Sequence, residues 1–267
     1  MRFCPLYSGS SGNSIFVEAG GTRLLIDAGL NGRTVSDALV SIGEDARAID
    51  GILVTHEHSD HISGVGVLAR RYKIPVYANE ATWRAMAGSI GEIPLTCVRV
   101  FETGRDFFIG ETNILPFPTP HDASESVGFT IEKSKRGRGL QRLAVMTDIG
   151  HVNGRMLDAA DRCDYVLIES NHDVDMLIAG PYPYPLKRRI LGDNGHLSNE
   201  NAGKALISLY NRGLRAAVLG HLSRDNNTEF LALETVRSVL RESDIPDAEF
   251  DLSIAHRQKI GQIYDMP

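Results

Sequence analysis

Residues 51–64 read GILVTHEHSDHISG. An apolar run, Ile52 to Val54, ends in His56, His58, Asp60 and His61, so three of the nine histidines in a 267-residue chain fall within six positions. Side chains two apart in extended chain lie on the same side, which lets His56 and His58 face one point. The strand must then end, and Asp60 and His61 stand at the turn before the next helix. Neutral imidazole and carboxylate are the donors that borderline divalent metals accept. Four of them at one strand end read as a metal-binding loop. The plain alternative is a polar helix-start loop of solvated histidines.

Around this loop, strand-like runs at 2–6, 15–18 and 23–27 are parted by the Gly/Ser turns SGSSGNS and AGG. Helices are expected at 34–42, 65–72 and 81–87, with strands at 51–55 and 75–78. Short strands fill residues 95–132, and a hairpin joins 129–132 to 142–147 across KSKRGRGLQ. A strand at 165–169, a helix at 199–210, a strand at 216–219 and a helix at 228–241 complete the pattern. Strands come in two batches, each followed by helices, and no Pro/Gly-rich linker splits the chain. The simplest packing is one domain over residues 1–267 with helices outside two stacked sheets. SGSSGNS could approach the metal-binding loop, but a plain turn is the simpler reading.

Composition excludes some functions. Apolar residues make up 42% of the chain and the formal net charge is −6, so a packed core is expected. A coat of bulk positive charge around nucleic acid is not, although a local basic groove remains open. Cys4, Cys97 and Cys163 are odd in number and form no CxxC. The opening lacks an apolar signal core, and no run approaches the roughly 18–20 apolar residues of a membrane helix. A cytoplasmic setting is the expectation.

Other residues follow or precede predicted strands at the same end of the sheets: Asp27 in LLIDAG, His121 in TPHDASESVGF, Asp148 in LAVMTDIG and His221 in AAVLGHLS. With THEHSDH, this pattern resembles the metallo-β-lactamase superfamily over nearly the whole length. The resemblance implies an α/β fold, a four-layer αββα sandwich of mixed sheets with helices on the outer faces. It also implies two divalent metal ions, zinc first, with manganese or iron as alternatives, and no organic cofactor. His56, His58 and His121 would hold one ion, Asp60, His61 and His221 the other, and Asp148 would bridge. Asp27 would support the histidine loop without ligating. Such an ion pair makes hydroxide available near neutral pH, so the implied chemistry is hydrolysis.

Three features narrow the substrate. His121 is followed by DASESVGF, as in the nucleic-acid-processing branches related to RNase Z and RNase J, and not by the GHTPG-like turn of lactam- and thioester-cleaving ones. Only 72 residues lie between Asp148 and His221, too few for the β-CASP-type domain that RNase J inserts. Glu169 in DYVLIESNHD and His196 in GDNGHLSNENAG resemble the Glu and His of RNase Z-like motifs. An alkoxide is a poor leaving group, so an imidazolium that donates a proton helps phosphodiester hydrolysis, and a nearby carboxylate raises its pKa. Asp60, with the metals, would hold the hydroxide. SGSSGNS, TPHDA, ESNHD, GPYP and GHLSN together look like the YycJ/WalJ-like branch, which implies a nuclease and plausibly a DNA exonuclease. The alternative within enzymes is a small-molecule hydrolase: a cyclic nucleotide phosphodiesterase, a thioesterase or a lactonase.

Three basic clusters are distinguished by position. Lys133, Lys135, Arg136, Arg138 and Arg142 lie on the hairpin, whose tip points ~15 Å away from the metal residues, so they read as solvated. Arg70, Arg71 and Lys73 close a helix, where cations suit its dipole. Lys187, Arg188 and Arg189 lie between Glu169 and His196 in a loop stiffened by Pro181, Pro183 and Pro185. With Tyr182 and Tyr184 interleaved, they are the candidate grip on a nucleic-acid strand, though a surface helix start explains them nearly as well. His172 is near enough to Glu169 in sequence to reach the site. His151 and His256 read as ordinary loop residues.

Overall fold

Residues 1–135 and 139–266 are described by a computed structural model. Arg136, Arg138 and the side chain of Lys135, members of the hairpin cluster, lie outside that description. The first half of the chain runs β1 (Arg2–Tyr7), β2 (Ser14–Ala19), β3 (Thr22–Ile26), α1 (Gly32–Ser41), β4 (Gly51–Leu53), α2 (Ser59–Ile62), α3 (Val65–Tyr72), β5 (Val76–Ala78), α4 (Glu80–Ile90) and β6 (Val98–Val100). The second runs β7 (Phe107–Ile109), β8 (Thr112–Pro118), β9 (Val127–Lys135), β10 (Gly139–Met146), α5 (Gly154–Ala159), β11 (Tyr165–Glu169), α6 (Val174–Ala179), α7 (Tyr184–Ile190), α8 (Asn199–Tyr210), β12 (Ala216–Gly220), α9 (Glu229–Arg241), β13 (Asp251–Ile254) and β14 (Tyr264–Asp265).

The strands form two sheets, ordered β14-β1-β2-β3-β4-β5-β6 and β13-β12-β11-β10-β9-β8-β7. The alternation of side chains along a strand explains why apolar residues run unbroken through the central strands. Leu24 and Ile26 of β3 face Leu143 and Val145 of β10, Leu167 of β11 and Val218 of β12 between the sheets. The intervening Leu25 points outward to Val35, Leu39 and Leu68 of α1 and α3. On the other side Met146, Ile168 and Leu219 point outward to Met156, Leu206 and Val236 of α5, α8 and α9. Four layers, αββα, result, as the sequence pattern predicts.

Strands β3 to β6 are mutually parallel, and so are β10 to β13. Side chains just beyond the carboxyl ends of such strands converge on one crevice. Asp27 follows β3, the histidine loop follows β4, Asp148 follows β10, Glu169 ends β11 and His221 follows β12. Asp27, Asp148 and His221 take left-handed backbone angles, with φ of 60°, 55° and 54°. Such conformations in non-glycine residues cost about 1–3 kcal/mol each and gather where function demands a particular aim.

The segment after Pro181, expected as a loop with a surface helix start as the alternative, is that helix: Tyr184–Ile190 is helical, with Pro183 as its cap residue and Pro185 in its first turn. Proline's missing N–H has no intrahelical acceptor there, so two prolines that read as loop punctuation start a helix instead.

Candidate metal centre

His56, His58 and His121 bring one ring nitrogen each to within 4.8 Å of one another. The Nδ1 of His56 meets Thr55 Oγ1 at 3.0 Å, and His121 Nδ1–H donates to the Gly195 carbonyl at 3.2 Å. The Nε2 atoms of both rings are buried with no hydrogen-bond partner. A buried polar atom left alone costs about 1–3 kcal/mol, and a divalent cation is the partner that neutral imidazoles suit. Burial holds both rings below the ordinary histidine pKa, so both lone pairs are free at neutral pH.

The second group centres on Asp148. One carboxylate oxygen lies 3.1 Å from His61 Nε2; the other lies 3.3 Å from His221 Nε2 and 3.8 Å from His121 Nε2. Asp148 therefore reaches both groups, the position a bridging carboxylate needs. Burial pushes its pKa up, but His221 and His61 outweigh that and hold it well below the usual carboxylate range. Asp27 accepts from the Thr55 N–H and Oγ1–H, both at 2.8 Å, and from His61 Nδ1–H at 2.7 Å. It orients the ring without joining the cluster. Asp60 sits at the rim, its Oδ2 3.6 Å from His61 Nε2. All seven residues singled out in the sequence as ligands are thus brought together, and the donor set suits divalent metal.

Glu169 and His196 meet beside this group, Oε1 to Nδ1, at 2.7 Å. Glu169 has no exposed surface, and its Oε2 accepts from the Ile149 and Leu197 N–H groups at 2.8 and 3.3 Å. Its oxygens are satisfied without a cation, so the pair reads as a unit. The His196 ring stacks on His221, centroids 5.4 Å apart, and tilts toward His121 at 5.2 Å. Burial disfavours its charged form, but Glu169 and then Asp148 prevail, and its pKa rises to about 9. His172 lies nearby but is buried, which pushes its pKa down to about 4.

Ser10, Asp122, Tyr182, Arg189, His196 and Ser223 help to line a cleft of about 200 Å³ at the mouth. Arg189 reaches it and pairs with Asp122. Arg188 lies over the Tyr184 ring, 5.9 Å from its centroid. The Lys187 ammonium is turned away, donating to the carbonyls of Ile178 and Gly180 at 2.6 and 2.7 Å. On the hairpin, Lys133 pairs with Glu111 and Arg142 with Glu132.

Three contributors escape sequence reasoning. Glu57 accepts from Ser124 N–H and Oγ–H, both at 2.8 Å, clamping the THEHSDH loop to the loop that carries His121. Asp122 holds Arg189. Asn13, in the turn read as plain, places its carboxamide between His61 and His221. The Gly/Ser richness of SGSSGNS allows such an approach, but no spacing rule selects the asparagine.

The family described as the Beta-lactamase superfamily domain matches residues 22–222, three quarters of the chain. The chain belongs to the β-lactamase superfamily. Within the superfamily it is 41% identical over 246 residues to a protein named exodeoxyribonuclease WalJ of Streptococcus pneumoniae, covering 91% of this chain and 90% of that one. It is 42% identical over 242 residues to exodeoxyribonuclease YycJ of Bacillus anthracis, with the same coverage. These identities put it in the WalJ/YycJ branch of the superfamily. Its fold is shared with the metallo-β-lactamase fold protein YhfI from Bacillus subtilis, at a TM-score of 0.72, 15% identity and 98% coverage of each chain. No helix among the described residues of this superfamily member is long and apolar enough to cross a membrane.

Proposed function

We propose that this chain is a metal-dependent nuclease that hydrolyses phosphodiester bonds of DNA from an end. The observation that carries this reading is the Glu169–His196 pair, locked at 2.7 Å and laid against Asp148 between His121 and His221. The relatives named exodeoxyribonucleases support DNA as the substrate. In this reading His56, His58 and His121 would hold one ion and Asp60, His61 and His221 the other, with Asp148 within reach of both and zinc the first choice for nitrogen-rich sites. Divalent ions bound there supply water ionised at neutral pH and a sink for phosphate charge.

The chain's own groups do the rest. Asp60, partly open to solvent, orients the attacking water. His196, its Nδ1–H committed to Glu169, has Nε2 left to deliver a proton to the departing oxygen. Arg189, at the cleft, exchanges Asp122 for a phosphate oxygen, while Arg188 and Tyr184 offer a cation and a stacking face to the strand beyond. The whole acts as one domain over residues 1–267 in the cytoplasm, where the three buried cysteines, all free, need no oxidising partner.

The test supplies purified protein and Mn²⁺ or Zn²⁺ with end-labelled duplex and single-stranded DNA, RNA, bis-p-nitrophenyl phosphate and a thioester. Stepwise shortening of DNA, abolished in His196→Ala at unchanged metal content, is the expected result. Thioester cleavage without DNA cleavage would overturn the proposal.

A further inference from the structure

We infer that Asn13 is a positioning residue for one of the two metal sites: its carboxamide oxygen aims His221, and so governs uptake of the ion that ring would hold. This rests on the dinuclear reading above. Asn13 ends the turn between β1 and β2 and is 3% exposed. Its backbone is fixed to both sides of the site, the N–H donating to the Asp60 carbonyl and the carbonyl accepting from Gly29 N–H, each at 2.8 Å. Gly29 permits this approach: a Cβ there would lie 1.6 Å from the Asp60 oxygen.

The side chain has one workable orientation. The Gly9 N–H, 2.9 Å away, can only donate, so the atom facing it is Oδ1. That oxygen also lies 3.1 Å from His221 Nδ1, which makes Nδ1 the donor. The neutral His221 ring therefore carries its proton on Nδ1 and turns a bare Nε2 toward Asp148, 3.3 Å away. On the other side the Asn13 amide nitrogen lies 3.0 Å from His61 Nε2 and 3.3 Å from the Asp60 carbonyl. In the neutral His61 ring, Nδ1–H is taken by Asp27, so Nε2 accepts from that amide N–H, which an ion binding there would displace. The amide oxygen thus aligns the lone pair of His221, while the amide N–H faces the ring nitrogen of His61, 160 positions earlier in the chain, that an ion would have to claim. Ser8 of the same turn accepts the His221 backbone N–H at 2.8 Å, fixing that residue's backbone as well as its ring. Partners that orient metal-binding histidines in this way typically contribute 10–100-fold to affinity.

The experiment is zinc binding alone, by chelator competition and by elemental analysis at controlled free Zn²⁺. Wild type takes up two equivalents. Asn13→Ala weakens one of them about 10–100-fold and leaves the other unchanged. Asn13→Asp, whose oxygen still accepts from Gly9 and His221, restores the lost equivalent. Two wild-type affinities in the alanine variant, equal weakening of both sites, or an aspartate no better than alanine would each overturn the inference. Should the alanine variant not fold, nitrogen NMR of the histidines in zinc-loaded wild type decides: a His221 ring protonated on Nδ1 supports the inference, and one bare at Nδ1 removes it. Wild type that binds two zinc ions but leaves DNA intact would end the nuclease proposal and leave this one standing.

Discussion

Glu169 is a carboxylate without exposed surface that spends one oxygen on two backbone N–H groups and the other on a single imidazole. That division makes Glu169→Gln informative. The backbone donors keep the amide oxygen, so the NH₂ turns to His196 Nδ1 and donates where the carboxylate accepted. His196 then loses the charge that raised its pKa to about 9. Because the acid form acts below that pKa and is lost as pH rises through it, the alkaline limb of kcat/KM should move to lower pH in this variant, with a rate loss of about 10²–10⁴ at neutral pH. Pre-steady-state cleavage across pH 6 to ~10 checks both. Asp27→Ala, which strips His61 and Thr55 of their acceptor, should weaken zinc about 10–100-fold in a chelator competition, while the cleavage rate at saturating metal changes little. The candidate ligands were legible because metal chemistry restricts residue type and β4 restricts spacing. Asn13, Glu57 and Asp122 were not, because amides and carboxylates serve many purposes and only their neighbours distinguish this one.

The elements around the mouth divide labour that the sequence presents as one basic run. α7 turns Lys187 back onto the last carbonyls of the α6 segment, Arg188 onto Tyr184, and Arg189 into the cleft. A residue that neutralises a phosphate contributes about one unit to the slope of log K against log salt. Arg189→Ala should therefore weaken DNA binding uniformly across sequences and lower that slope by about 1. Lys187→Ala should leave the slope unchanged and instead increase amide exchange in residues 178–191, as measured by mass spectrometry. Neutralising Lys133, which is paired with Glu111 on the far hairpin, should alter neither. The helix itself was hidden by its prolines: Pro181, Pro183 and Pro185 look like loop chemistry, and only packing shows that two of them sit where a helix tolerates them.

At the scale of the whole molecule, two sheets share one apolar interior and meet at a rim of imidazoles and carboxylates. The unpartnered Nε2 atoms of His56 and His121 and the crowded Asp148 are a cost that metal binding removes. Zinc should stabilise the fold by about 2.7 kcal/mol per site at a hundredfold excess over its Kd, which for this size of chain is a rise of about 5–10 °C in Tm per site. Calorimetry with and without a chelator reads it, and an unchanged Tm would argue against these residues as ligands. The sequence alone determined the layering and the donor inventory, because apolar runs, turn residues and the HxHxDH spacing are local properties that each segment carries with it. Tertiary structure decided where each donor stands. Which carboxylate lies between the two histidine groups, which ring nitrogen faces an acceptor and which arginine faces the cleft depend on distances between segments as far apart as Asn13 and His221, and no local pattern encodes a distance.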